Sequence, residues 1–127
     1  MDIRQRGMIM SAAAYVERAS RRGVRLRDII ARRRGLSAKE ALPVAARAVR
    51  AGAGTFENLI RGRIKDIGAH LNDALRQALI RELMLELEAH ANELAVILAD
   101  GADPTGGEAG EVVERIAQIR AALRAND

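Results

Sequence analysis

From Asn72 to Asp100 the chain contains neither glycine nor proline, while leucine, isoleucine and valine recur throughout. With no residue present that stops a helix, the stretch predicts a rod of roughly 43 Å at about 1.5 Å per residue. Its apolar residues occupy more than one side. Leu71, Leu75, Ala78 and Leu85 lie along one, and Leu79, Leu83, Leu87, Leu94 and Leu98 along another. A glycine-rich loop, Gly101 to Gly110, comes next. Val112, Val113, Ile116, Ile119 and Leu123 then mark a last helix from Glu111 to about Ala125, expected to fold back antiparallel on the rod.

The remainder of the chain can cover only part of this apolar surface, and a lone monomer would expose more than soluble proteins tolerate. Residues 71–98 are therefore expected to form a homodimer interface, carried by Leu71, Leu75, Leu79, Leu83, Leu87, Leu94 and Leu98. Glu82 and Asn92 interrupt the first side. That favours a bundle of two antiparallel hairpins over a parallel zipper.

Composition points the same way. Alanine, arginine and glutamate are abundant and there are only 2 prolines, which predicts an all-α chain. With no cysteine, disulfides and cysteine-based zinc sites are excluded. The apolar run near Met1 is too short for a secretory signal or a membrane span, so a cytoplasmic protein with no membrane association is expected.

Charge divides the chain. Residues 1–34 carry ten Arg against Asp2, Glu17 and Asp28, a balance of +7; residues 35–67 add +3, and residues 68–127 carry −6. A basic head (1–67) beside an acidic helical tail (68–127) predicts polyanion binding by the head alone.

In chain order, Met1 to Met10 reads as an arm whose Arg4 and Arg6 can reach a phosphate backbone. Ser11 would cap a helix to about Arg22, with Ala14, Tyr15, Val16 and Ala19 inward, and Gly23 would break it. A second helix from Val24 to Arg34 would turn Leu26, Ile29 and Ile30 inward, ending at Gly35. Ser37 and Glu40 have capping-box spacing. Pro43 leaves two possible starts for the helix that follows, Ala38 or Leu42.

Ala45 to Gly62 (AARAVRAGAGTFENLIRG) reads as two short helices joined by a tight turn. Thr55 is placed to cap the second of them. There Phe56, Leu59 and Ile60 share one side, while Glu57, Asn58 and Arg61 share the other. A buried face opposite a hydrogen-bonding face is what reading DNA with a helix requires.

These residues resemble the helix-turn-helix of lambda-repressor-like (phage repressor and Cro type) proteins. Ala46 matches the small residue where the two helices cross. Val49, Ala51, Phe56 and Leu59 match the apolar positions, and Arg61-Gly62 matches the close of the second helix. Arg50 departs from the pattern, standing where the family prefers glycine. The resemblance covers about 20 residues and implies a small helix-turn-helix head with a transcriptional regulator's function, as a repressor of phage or mobile-element type.

On this reading Asn58 would pair with adenine, Arg61 with guanine, and Glu57 would accept from cytosine. Glu57 and Arg61, four apart, can also neutralise each other. Thr55, Arg63 and Lys65 join Arg4 and Arg6 as phosphate contacts. With Tyr15 and Phe56 its only aromatics, the chain lacks the stacking platform of single-strand and RNA modules, so double-stranded DNA is the expected partner.

No catalytic constellation is present, and an enzyme is not expected. The three serines lack a nucleophile-elbow context, and the glycine-rich loop lacks the Lys-Ser/Thr of a phosphate cradle. Glu86, His90 and Glu93 on one helix, and Asp100, Asp103, Glu108 and Glu111 around the loop, read as solvated polarity. No metal, cofactor or small-molecule effector is expected. Two rival functions remain, a small-terminase-like DNA-packaging adaptor and a protein-binding helical adaptor without DNA.

Overall fold

The computed structural model describes residues 12–126. Among them are five helices and no strand: α1 (Ala12–Arg34), α2 (Ala38–Ala48), α3 (Ala53–Ile60), α4 (Ala69–Ala99) and α5 (Gly107–Ala125). The chain is all-α, as composition predicts. It divides into two compact units, one ending at Leu79 and the other beginning at Ile80, with α4 contributing to both.

In the first unit α1 packs on α2 and α3, and α2 packs on α3. Val16, Ala19, Gly23, Leu26 and Ile30, spaced alternately three and four, form the buried stripe of α1. Arg18, Arg21, Arg25 and Arg32 form an exposed stripe on the opposite side. Inward residues of the other elements complete the core: Ala41, Ala45, Ala46 and Val49, Phe56 and Leu59, then Ile67, Leu75, Ala78 and Leu79. Ala14, expected inward, is exposed. Ser11 lies outside the described residues.

Gly23 does not break α1. A Cβ there would lie 3.0 Å from Ile60 Cγ2, 3.5 Å from Leu59 Cδ2 and 3.7 Å from Phe56 Cζ. The absent side chain is thus what lets α3 approach α1, and that contact offsets the roughly 1 kcal/mol a glycine costs inside a helix. One turn earlier, Ser20 Oγ donates to the Ile60 carbonyl at 3.2 Å, fixing the end of α3 to α1. Arg22 donates to Asn72 Oδ1 at 3.2 Å. Burial, then Arg18 and Arg76, pull its guanidinium below its ordinary range.

Ser37 and Glu40 form the expected capping box: Glu40 N–H donates to Ser37 Oγ at 3.1 Å and Ser37 N–H to Glu40 Oε1 at 3.0 Å. Those two bonds hold the Glu40 carboxyl below its ordinary range. The box starts α2 at Ala38, so Pro43 lies inside the helix.

In the second unit the buried residues of α5 are Ala109, Val112, Ile116 and Ile119. Val113, expected beside Val112, is 42% exposed, because one residue turns about 100° around a helix. The helix starts at Gly107, earlier than Glu111. Asp103 closes the loop early by accepting from the Thr105 N–H at 2.9 Å and its hydroxyl at 2.7 Å. Glu82 and Glu86 on α4 are buried at 6% exposure each, and neither lacks a partner. Among the described residues no helix is long and apolar enough to cross a membrane.

Candidate functional site

The outer side of α3 is a polar surface of the first unit, and its placement depends on how α2 ends. Ala51 N–H donates to the Ala46 carbonyl at 2.9 Å and Arg50 N–H to that of Arg47 at 3.0 Å. This Schellman closure requires a left-handed residue between helix and loop. Arg50 supplies it, with φ 57°. The turn then delivers Gly52 as the N-cap of α3, with no side-chain cap bond. Thr55, expected as the cap, lies inside the helix instead, because α3 begins three residues earlier than a cap at Thr55 would start it, at Ala53.

Phe56 and Leu59 are fully buried and Ala46 is 2% exposed. Burying that side fixes the other. Asn58 and Arg61 are exposed and Glu57 is half-buried. Glu57 and Arg61 form an ion pair at 2.7 Å, with side chains 43% and 53% exposed. Pairs this exposed contribute at most about 1 kcal/mol. A bidentate arginine–guanine contact discriminates by about 1–3 kcal/mol. The pair is therefore weak enough to exchange for such a contact.

Gly62, φ 71°, ends α3, and Arg63 N–H donates to the Asn58 carbonyl at 2.9 Å. Arg63 and Lys65 are exposed beyond it. Lys65 lines a hollow of about 420 Å³ with Glu17, Ser20 and Gly62, among others. Thr55, Arg63 and Lys65 thus all reach solvent; Arg4 and Arg6 lie outside the described residues. Two cations are added to those expected, Arg50 in the turn and Arg47 in the last turn of α2, both exposed. The mismatch between Arg50 and a glycine-preferring position was the sequence signal for the first.

Comparison with family models, curated proteins and solved structures finds no match for this chain.

The leucines expected at a dimer surface divide into two groups. Leu75, Leu79 and Leu83 are already buried within the single chain, at 0%, 2% and 7% exposure, and offer no surface to a partner. Leu71, Leu87 and Leu94 are half-buried and Leu98 is exposed. The open apolar surface of the second unit includes Leu98 and, outside the expected set, Met84, Leu85, Val96 and Val113.

His90 Nδ1 lies 3.3 Å from Glu93 Oε2, while Glu86 is buried. Among the described residues no three of His, Asp and Glu gather as metal ligands would. The Thr105 bonds lower the Asp103 carboxyl.

Proposed function

We propose that this chain is a sequence-specific double-stranded DNA-binding transcriptional regulator, a repressor of phage or mobile-element type acting as a homodimer. The observation that carries the reading is the α2–turn–α3 unit. The turn residue is left-handed, the second helix is packed through Phe56 and Leu59, and Asn58 and Arg61 face outward. It sits in a three-helix head with exposed Arg and Lys on every helix or its flanking turn. In this reading the head is a helix-turn-helix domain, with α3 entering the major groove and cations beside it positioning the duplex. Asn58 reads adenine, and Arg61 leaves Glu57 to read guanine. Helices α4 and α5 form the hairpin through which two copies pair.

The test is selection of bound sequences from a random duplex pool at physiological salt. A defined motif is expected, arranged as two half-sites about one helical turn apart. Asn58→Ala and Arg61→Ala should each cost about 1–3 kcal/mol on that motif and relax one base position. Recovery of an unstructured pool, or an unchanged motif from both variants, would remove α3 as the reading helix.

A further inference from the structure

In the second unit α4 and α5 line an open groove of about 960 Å³. It is lined mainly by apolar side chains of both helices, among them Leu87, Leu94 and Leu98 from α4 and Val113 and Ile116 from α5. Met84 and Leu85 belong to the same lining, at 58% and 40% exposure. The groove is therefore an apolar surface open to solvent. A two-fold interface over it must complement itself, because one patch serves both copies.

The charges along the groove meet the same requirement. Arg81, Glu88 and Arg120 line it, so both signs are present. Arg81 and Glu88 stand seven residues apart on α4, a spacing that returns to the same helix side, with Met84 and Leu85 midway between them. When two such helices run antiparallel about an axis between residues 84 and 85, position 81 of one stands opposite position 88 of the other. Met84 likewise meets Leu85. Among the described residues, Arg81 and Glu88 make no ion pair within the chain.

We propose that the occupant of this groove is a second copy of the chain, related by a two-fold axis between Met84 and Leu85, with Arg81 of each copy facing Glu88 of the other. The inference rests on the homodimer in the functional reading and not on its DNA-binding part. It moves the dimer surface from the buried leucines at 75, 79 and 83 to the adjacent exposed side of the same helix.

The experiment is sedimentation equilibrium without DNA on the full chain, on Arg81→Glu, on Glu88→Arg and on the double swap. Circular dichroism confirms equal helix content in all four. The wild type should be a dimer at tens of micromolar. Each single reversal sets like charges together at two symmetric points, and about tenfold at each weakens association roughly a hundredfold. The double swap should restore most of it. A dimer indifferent to the single reversals, or one the double swap fails to rescue, overturns this interface while leaving the homodimer standing. A monomer, or a ring larger than a dimer, overturns both. Base reading by α3 is decided separately, by duplex selection, whichever of these results is obtained.

Discussion

Arg50 occupies the left-handed position that glycine fills at three other helix ends of this chain, Gly35, Gly62 and Gly101. Each of the four is followed by a residue whose N–H returns to the helix: Leu36 to Ala31, Ala51 to Ala46, Arg63 to Asn58 and Ala102 to Ile97. The role is the same and only one occupant has a side chain. Left-handed backbone costs such a residue about 1–2 kcal/mol, while glycine's freedom in the unfolded chain returns roughly 0.5–1 of that on substitution. Arg50→Gly should therefore stabilise the protein by roughly 0.5–1 kcal/mol, read from the denaturant midpoint. If the arginine is kept for a phosphate, the same variant should bind duplex DNA more weakly, with a salt slope shallower by about one. Lower stability, or undiminished binding, would count against that role. Gly23 presents the reverse case, since its space and not its φ is used. Gly23→Leu should cost at least about 1–3 kcal/mol by overpacking against Ile60. Gly23→Ala, which asks Ile60 to move only a few tenths of an ångström, should stay within about 1 kcal/mol in thermal melts.

Among the elements, the ones legible in the sequence were those signalled locally. The capping box at Ser37, the closure at Gly35 and the unbroken run of α4 each follow from residues within a turn of the feature. Those that were misread depend on residues distant in sequence. Gly23 reads as a break until Phe56, Leu59 and Ile60 are set against it. Thr55 reads as a cap until the turn at Arg50 starts α3 at Ala53. The outer side of α3 was legible because Phe56 and Leu59 fix its inner one. The buried state of Leu75, Leu79 and Leu83 was not, because periodicity shows that a side is apolar without showing what covers it. The capping box also gives α2 a dependence on pH. The folded-state pKa of Glu40 is depressed, so its contribution is present above the ordinary value of 4.5 and lost as pH falls through the lowered one. Thermal melts at pH 7 and below pH 4 should show an acid loss in the wild type that is smaller in Glu40→Gln, since glutamine keeps the box without titrating. Ser37→Ala should cost about 1 kcal/mol at neutral pH. Equal acid loss in wild type and Glu40→Gln would mean the box is not what titrates.

At the scale of the molecule, the excess of positive charge and, among the described residues, the exposed apolar surface fall in different parts of the chain. The first 67 residues hold 16 Arg and Lys, and residues 68–127 carry a balance of −6. Among the described residues, the large exposed apolar side chains lie at Met84, Leu85, Val96, Leu98 and Val113. In the proposed function the first part meets DNA and the second meets another copy, which keeps the acidic, self-associating surface out of the duplex's field. The central claim is that the basic head binds the polyanion, and it is most directly tested by titrating duplex DNA across a series of salt concentrations. If about five to eight of the cations touch phosphates, log affinity should fall against log salt with a slope of roughly −4 to −7 per protomer. A slope near zero would contradict the claim.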